Sequence, residues 1–183
     1  MAASDDVSVR LTKWLSSLAL TAALGASLGG VVYAARLIDD TCGTGYAPYF
    51  AALGPAQYWH WESSVGVNSC SMWTYTVYAG YSDDINRAGY FTDPTFDPGT
   101  YMRLQAFMTG TRNSCGSPVY RVWPTGDLGS SYSYSVTQAG PGWQTIVDSI
   151  YMDPYQGAKY YLGDSQWCPG GSEILVDAGY FWF

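Results

Sequence analysis

The chain has 183 residues, of which 48% are hydrophobic, 17% aromatic and 13% charged. Its formal net charge of -7 excludes, as a default, the basic surface that binds nucleic acid. The hydrophobic fraction excludes a disordered chain, because enough apolar surface is available to offset the entropy lost on ordering. The length corresponds to one domain preceded by a leader.

Residues 1–34 have the pattern of a secretory signal peptide. Arg10 and Lys13 form a short positive region, an uncharged stretch follows over residues 14–35, and small residues flank the exit at Val32-Tyr33-Ala34. The alternative is an uncleaved anchor, since the uncharged stretch is just long enough to cross a bilayer. Its content of Gly, Ala and Ser favours cleavage, so we expect a secreted protein with no membrane attachment once the leader is removed.

Four cysteines follow the leader, at positions 42, 70, 115 and 168. An even number of cysteines in an exported chain predicts two disulfides formed in an oxidising compartment. Zinc is the weaker alternative, because there is no Cys-x-x-Cys spacing and His60 is the only histidine. Of the three possible connectivities we favour Cys42–Cys70 with Cys115–Cys168, which closes the shortest total loop.

Short alternating runs predict an all-β fold for the rest of the chain. In residues 101–108 the even positions are apolar, whereas Arg103 and Gln105 alternate with them, as in a half-buried strand. Similar runs occupy residues 58–62, 72–79, 119–123, 132–137, 143–152, 159–162 and 174–183, with a weaker one around Tyr90. Eight or nine strands at this spacing predict a sandwich or barrel over residues 56–183.

Two segments carry more specific expectations. Residues 35–55 show no clear pattern, and we expect a covering segment that Cys42 ties down. The terminal run is dense in aromatic residues and would favour aggregation if left unpaired, so we expect it to lie inside a sheet. Unbroken alternation would place five of its side chains on one face: Ile174, Val176, Ala178, Tyr180 and Trp182.

Several short motifs occur in an order that resembles the golvesin-type domain, also called the xanthan-lyase carbohydrate-binding-like domain. The motifs are Pro98-Gly99-Thr100-Tyr101, Tyr120-Arg121-Val122, Gln138-Ala139-Gly140-Pro141-Gly142-Trp143, Leu162-Gly163-Asp164-Ser165 and Ile174-Leu175-Val176-Asp177-Ala178. The resemblance covers residues 72–183. It implies a jelly-roll β-sandwich of the galactose-binding-like type that holds polysaccharide or cell-surface material.

The chain departs from that family in two ways. Ala178-Gly179-Tyr180 stands where the family usually has Ala-Val-Arg, so any role of that arginine is absent. We also expect a stand-alone version without an attached catalytic domain, to which the accessory role that the family usually plays does not transfer directly.

Aromatic side chains on strands are the candidate sugar-binding residues. Flat rings cover the apolar side of a sugar, and nearby polar groups bind its hydroxyls. Trp59 and Trp61 share one side of a strand, and Tyr132 and Tyr134 form a second ladder between serines. We select these four, although aromatic residues on strands more often pack in a core or against cross-strand neighbours.

Metal binding and catalysis have weaker support. Asp83, Asp84, Asn86, Asp93 and Asp97 lie in turns that could hold Ca²⁺, but turn-forming hydrogen bonds explain them equally well. We therefore expect no cofactor and no metal.

Catalysis has no marked centre in the sequence. No Gly-x-Ser-x-Gly motif accompanies His60. Glu62 and Glu173 are two of many carboxylates that could form an acid pair for glycoside cleavage, and nothing in the sequence marks one pair out.

The leading hypothesis is therefore a secreted, non-catalytic β-sandwich that binds carbohydrate or cell-envelope material. A structural protein of the cell surface that self-associates by edge pairing is the alternative from another class. A small secreted hydrolase is the third.

Overall fold

The computed structural model describes residues 35–39, 49–79, 85–137 and 140–183. All described residues belong to one compact unit, Ala34–Phe183. The predicted signal peptide lies outside the described residues, as do Cys42, Asp83 and Asp84. Within the described ranges there is no helix of sufficient length and hydrophobicity to span a bilayer.

The described residues form fourteen β-strands and four short 3-10 turns, without an α-helix. The strands are β1 (Ala35–Asp39), β2 (Phe50–Leu53), β3 (His60–Ser63), β4 (Cys70–Tyr75), β5 (Val77–Tyr78), β6 (Arg87–Phe91), β7 (Thr100–Met108), β8 (Val119–Trp123), β9 (Tyr132–Ser135), β10 (Gly142–Met152), β11 (Lys159–Gly163), β12 (Ser165–Gln166), β13 (Glu173–Val176) and β14 (Ala178–Trp182).

The strands form a jelly-roll β-sandwich, which confirms the predicted fold class. A four-stranded sheet has the order β1-β14-β7-β10, and a five-stranded sheet has the order β2-β6-β11-β8-β9. A three-stranded sheet, β13-β4-β3, continues the first, because Asp177 alone separates β13 from β14 and β7 contacts β13. The strands outnumber the prediction because two predicted runs divide, 72–79 into β4 and β5, and 174–183 into β13 and β14.

Alternate side chains of β7 enter the core, as the alternation predicts. Met102, Leu104, Ala106 and Met108 are all buried, while Arg103 is exposed on the other face. This is the pattern of a strand whose inner face is sealed against a second sheet and whose outer face meets solvent.

Buried tyrosines of the five-stranded sheet fill the opposite side of the core. The ring of Tyr160 stacks on Tyr90 at 4.9 Å and meets Phe181 of β14 at 5.2 Å. Its hydroxyl donates to the backbone oxygen of Gln105 at 2.8 Å, which satisfies the phenol across the sandwich. Burial raises the pKa of both Tyr160 and Tyr120, so these phenols stay neutral.

Two strands within residues 35–55 belong to the sheets. β1 pairs with β14 from Ala35↔Trp182 to Asp39↔Ala178, and β2 pairs with β6. These two strands are therefore paired edge strands of the two sheets, while residues 40–48 lie outside the described residues. Each strand is only four or five residues long, too short for alternation to stand out in the sequence.

The terminal run changes face at Asp177. Val176 is buried in the core, but so is Phe181, five positions later, whereas Trp182 is exposed. The prediction that Tyr180 and Trp182 share one face with Ile174 and Val176 was therefore wrong. An irregularity of one residue reverses the phase of every side chain that follows it.

A turn holds Asp177 at this irregularity. The Val67 amide donates to its Oδ2 at 2.9 Å, and the backbone of Gly66 approaches the same carboxylate so closely that a Cβ there would lie 2.6 Å from it. The turn at Gly66 and Val67 thus buries the Asp177 carboxylate. Asp177 is the residue that separates β13 from β14.

A buried ion pair attaches β1 to the sandwich. Arg36 pairs with Asp97, whose side chain is fully buried, and donates to the backbone oxygen of Phe91 at 2.6 Å. Its guanidinium also lies over the ring of Tyr49 at 4.4 Å. Burial lowers the pKa of Arg36 and raises that of Asp97, while the attraction between the two groups opposes both shifts.

One predicted disulfide is described. Cys115 and Cys168 are bonded, with their Cα atoms 5.4 Å apart. Cys70 is also disulfide-bonded, and its predicted partner Cys42 lies outside the described residues, so that pairing stays a prediction.

We expect Gly179→Ala to destabilise the domain strongly. The added Cβ would lie 2.2 Å from the Tyr160 hydroxyl and 2.7 Å from a ring carbon of Tyr90, both fixed in the core. Overpacking of this kind costs about 3 kcal/mol of unfolding free energy, measurable by urea denaturation. Gly170→Ala is the control, because its Cβ would meet nothing nearer than 3.9 Å. Equal stability of the two variants would contradict this account.

We expect Arg36→Ala to lower the free energy of unfolding by about 3–5 kcal/mol at neutral pH, because it leaves the Asp97 carboxylate buried without its cation. Arg103→Ala removes an exposed pair with Asp148 and should cost at most about 1 kcal/mol.

The loss of unfolding free energy in Arg36→Ala, here called the deficit, should also depend on pH. Without the cation, the folded-state pKa of Asp97 rises further above its unfolded value, so the folded state binds the proton more tightly. The deficit therefore shrinks as the pH falls through that raised pKa. Urea unfolding at a series of acidic pH values measures it, and a pH-independent deficit would refute the role of the carboxylate.

Candidate functional site

The outer side of the four-stranded sheet carries a row of aromatic rings, here called the aromatic face. It consists of Phe107 on β7, Trp143 on β10, and Tyr180 and Trp182 on β14, with Gln105 at its centre. Trp143 meets Phe107 at 5.2 Å and Tyr180 at 4.6 Å between ring centroids, and Tyr180 meets Trp182 at 4.9 Å. The row therefore crosses three neighbouring strands.

Gln105 connects the polar groups of the aromatic face. Its amide oxygen accepts a hydrogen bond from Trp182 Nε1 at 2.6 Å, and its amide nitrogen donates to Thr145 Oγ1 at 3.2 Å. Cross-strand register places Gln105 directly between Tyr180 and Thr145. A planar amide thus lies among tilted rings, at the position where a ligand on this face would meet it.

The face extends beyond Trp182 toward the start of β7. Arg103 and Asp148 form an exposed ion pair with an N–O distance of 3.2 Å. Tyr101 and Tyr151, both exposed, then meet edge to face at 5.6 Å. At roughly 3.3 Å per strand residue, Tyr101 and Phe107 are separated by about 20 Å. The surface is therefore longer than a single sugar.

The loop at residues 109–118 covers the outer side of the neighbouring three-stranded sheet. Arg112 of this loop lies over the ring of Trp73 at 4.4 Å and donates to Glu173 at 2.8 Å. Its Nε is 3.5 Å from Glu62. Trp73, which also stacks on His60 at 4.3 Å, is left only 8% exposed. The loop thereby closes the sheet surface beyond the aromatic face.

Arg112 adopts a backbone conformation that a non-glycine residue rarely takes, with φ at 52°. Contacts of its guanidinium with two carboxylates and an indole ring offset the energetic cost of this conformation. The hydrogen bond to Glu173 raises the pKa of Arg112, and the charge of Glu62 adds to that shift. The loop is further tied by Cys115, whose amide donates to the Glu173 backbone oxygen at 3.2 Å.

The structure brings Glu62 and Glu173 together, but not as a free acid pair. Both carboxylates bind the same guanidinium, and Glu62 also accepts a bond from Thr111 at 3.3 Å. A general acid needs a proton and an open approach to its substrate. In this arrangement both groups hold the loop instead.

The four predicted binding residues lie on or beside two different edge strands. Trp61 is on β3 and is 46% exposed, whereas Trp59, just before it, is 8% exposed and donates its indole N–H to the Leu53 oxygen at 3.2 Å. Tyr132 and Tyr134 are on β9 of the five-stranded sheet. Tyr132 is 52% exposed, and Tyr134 packs against the core. The structure does not bring the two pairs together.

Sequence reasoning missed the aromatic face, although its signals were present. Gln105 alternates with core residues on β7, which already placed it outward. Trp143 begins an apolar strand, a pattern that favours the core, yet its register partner is outward-facing Phe107. Tyr180 and Trp182 were assigned to the wrong side by unbroken counting across Asp177.

The acidic turn at residues 93–97 is occupied by protein donors. Asp93 Oδ1 accepts from the Thr95 amide at 2.8 Å and from its hydroxyl at 2.7 Å. Asp97 Oδ2 accepts from the Asp93 amide and pairs with Arg36. In the part of the chain that the structure describes, no three His, Cys, Asp or Glu side chains cluster as metal ligands.

Similar solved structures include two from Clostridium thermocellum. The first comprises the CBM22-1–GH10 modules of endo-1,4-β-D-xylanase 10B complexed with xylohexaose, at 14% identity and a TM-score of 0.42 over 73% of this chain. The match spans only 26% of that chain. The second is a family 11 carbohydrate-binding module with a β-1,3-1,4-mixed-linked tetrasaccharide, at 12% identity and a TM-score of 0.39, covering 80% of this chain and 94% of that one.

No protein-family model matches the chain, and no curated protein sequence matches it. The golvesin-type resemblance is therefore not confirmed. The two similar structures are named as carbohydrate-binding modules, one of them with a catalytic module.

We expect Arg112→Ala to uncover Trp73, because the guanidinium is the group that lies over its ring. Acrylamide quenching of tryptophan fluorescence should increase, and the increase should vanish when Trp73→Phe is combined with it. Arg103→Ala is the matched control, since that exposed arginine pairs with Asp148. Unchanged quenching in Arg112→Ala would show that the loop stays over Trp73 without the Arg112 guanidinium.

Proposed function

We propose that this chain is a secreted, non-catalytic β-sandwich module that binds a polysaccharide along the aromatic face. The observation that carries the proposal is the outward row of Phe107, Trp143, Tyr180 and Trp182 around the amide of Gln105. Packing of the sandwich does not require large rings on an outer sheet surface. Trp182 is exposed and the other three rings are half-buried. Partly exposed apolar area of this kind, bordered by polar groups, is typical of a binding site.

The chemistry of the face suits a sugar chain. The C–H side of a pyranose ring packs on an aromatic ring, while its hydroxyls need donors and acceptors at the edge. Gln105 is already hydrogen-bonded to Thr145 and to the Trp182 N–H, and a sugar hydroxyl can replace a partner in either bond. The face therefore offers both kinds of contact within one cross-strand row.

Charge and shape narrow the ligand class. Arg103 and Asp148 neutralise each other at the edge of the face, so the surface favours a neutral glycan. Neighbouring rings are inclined by 33° at Tyr180–Trp182 and by 58° at Trp143–Tyr180. Rings whose planes rotate along the row can follow a single twisted polysaccharide chain. Binding to the flat surface of a crystalline polysaccharide needs coplanar rings.

Secretion is part of the proposal. It is supported by the leader pattern in residues 1–34 and by the Cys115–Cys168 disulfide, because such bonds persist in oxidising compartments. Self-association through the edge strand β10 is disfavoured, since β10 has two register irregularities and the exposed Asp148. Both features protect a sheet edge from pairing.

Trp182→Ala should weaken binding to soluble neutral polysaccharides about tenfold, because it removes both an aromatic surface and the N–H that positions Gln105. Affinity electrophoresis in xylan and in mixed-linkage β-glucan measures the change, with folding checked by circular dichroism. Trp61→Ala and Tyr132→Ala are the controls, since both are exposed aromatic residues elsewhere. If either control abolishes binding and Trp182→Ala does not, the site lies on an edge strand instead. If no neutral polysaccharide retards the folded protein, the proposal fails.

A further inference from the structure

An exposed ion pair lies between two groups of aromatic rings on the outer surface of the four-stranded sheet. Arg103 Nε lies 3.2 Å from Asp148 Oδ1, and the two side chains are 53% and 80% exposed. Strand register places Arg103 beside Trp182, at one end of the aromatic face. On the other side of Arg103, two residues along β7, Tyr101 packs edge to face with Tyr151. The ion pair is therefore flanked by aromatic rings in both directions along the sheet.

The outward side chains of β7 form one continuous line through these groups. Residues 101, 103, 105 and 107 alternate with buried core residues, so they lie on the same surface of the sheet. Tyr101 and Gln105 are separated by about 13 Å along the strand. A polysaccharide that continues along β7 from Gln105 therefore crosses the ion pair before it reaches Tyr101.

The two groups of the ion pair set the charge on this part of the surface. Among the described residues of β1, β7, β10 and β14, the other charged side chains are Arg36 and Asp39. Arg36 lies on the core side, where it pairs with Asp97. Asp39 accepts a hydrogen bond from Asn68 at the far end of β1, about 13 Å along the sheet from the row of Arg103. A ligand beside Arg103 therefore meets mainly the charges of the ion pair itself.

Such an ion pair discriminates between neutral and charged sugar chains. A neutral chain needs no opposite charge, and its hydroxyls can bond to both exposed groups of the pair. A chain that carries carboxylates places negative charge near Asp148, and it reaches the Arg103 guanidinium only by breaking the existing pair. Like charge placed against the wrong ligand is an effective source of specificity.

We propose that the Arg103–Asp148 pair is the specificity-determining element of an extended polysaccharide site, in which a neutral chain runs across the pair from the aromatic face to Tyr101 and Tyr151. This inference rests on the function proposed above and adds the path of the chain and the group that rejects an acidic one. Asp148 is that group, because it occupies the guanidinium that would otherwise bind a carboxylate. Replacing Asp148 with a neutral amide therefore converts the site to one that accepts an acidic chain.

The test compares polymers that share a backbone and differ in the charge of their substituents. Hydroxyethyl and carboxymethyl derivatives of mixed-linkage β-glucan and of arabinoxylan, substituted to the same degree, are titrated into the folded protein by calorimetry at low salt. We expect the wild-type protein to bind the carboxymethyl polymer about tenfold more weakly than the hydroxyethyl polymer, and added NaCl to narrow this ratio of affinities. Asp148→Asn should bring the ratio to one or reverse it. Adding Arg103→Gln to that variant should remove most of the gain, because the guanidinium is then absent.

Asp127→Asn is the matched control for overall charge. It makes the same change in net charge, and it releases Lys159 from an ion pair on the five-stranded sheet. Its ratio of affinities should equal that of the wild-type protein. An equal gain in Asp127→Asn, a wild-type ratio near one, or an unchanged ratio in Asp148→Asn would overturn the role of the Arg103–Asp148 pair.

Tyr101→Ala tests the path of the chain. Tyr101 is 67% exposed, so its replacement leaves the core intact, and it should weaken binding of the hydroxyethyl polymer about fivefold. Tyr58→Ala is the control, since Tyr58 is an exposed tyrosine outside the four-stranded sheet. Full binding by Tyr101→Ala would show that the chain does not cross the ion pair and would overturn the proposal.

Failure of this inference is distinguishable from failure of the function proposed for the aromatic face. If the wild-type protein binds neither hydroxyethyl polymer, the neutral-glycan function fails. Carboxymethyl binding gained by Asp148→Asn and not by Asp127→Asn would then still support the role of Asp148, and absence of that gain would overturn it.

Discussion

The placement of β14 between β1 and β7 is the constraint on which both surfaces of the four-stranded sheet depend. Phe181 enters the core from β14 and meets Tyr160 there, so Tyr180 and Trp182 must point outward. Gly179 lets the strand approach the buried tyrosines, since any larger residue would collide with Tyr160. Core packing thus sets which face of β14 carries aromatic rings to solvent.

Asp177 makes this placement possible. Without a break, the alternation of β13 would continue and would place Tyr180 inward with Val176. The turn at Gly66 and Val67 holds the carboxylate at the junction. One polar residue, bound by a segment more than a hundred positions away, therefore determines the orientation of the strand that follows it.

The sequence predicted the fold class, most strands and the inner face of β7 because those features follow from local alternation. It could not predict the face of Tyr180, because the phase reversal at Asp177 depends on the distant turn that binds it. Trp59 was misplaced for a related reason: an aromatic residue at a strand end has the same local pattern whether it lies in a core or on a surface. The ion pairs of Arg112 with Glu62 and Glu173 could not be predicted either, since the three residues are far apart in the chain.

The pairing of β1 with β14 has a kinetic consequence. It joins residues from opposite ends of the described chain, and β14 also needs β7 on its other side. Contacts of such long sequence separation form late, since closing the intervening loop costs entropy before any interaction compensates for it. The Cys115–Cys168 link shortens the effective loop between the chain segments it joins. Formation of this disulfide should therefore speed the final assembly of the sandwich and also stabilise the assembled fold.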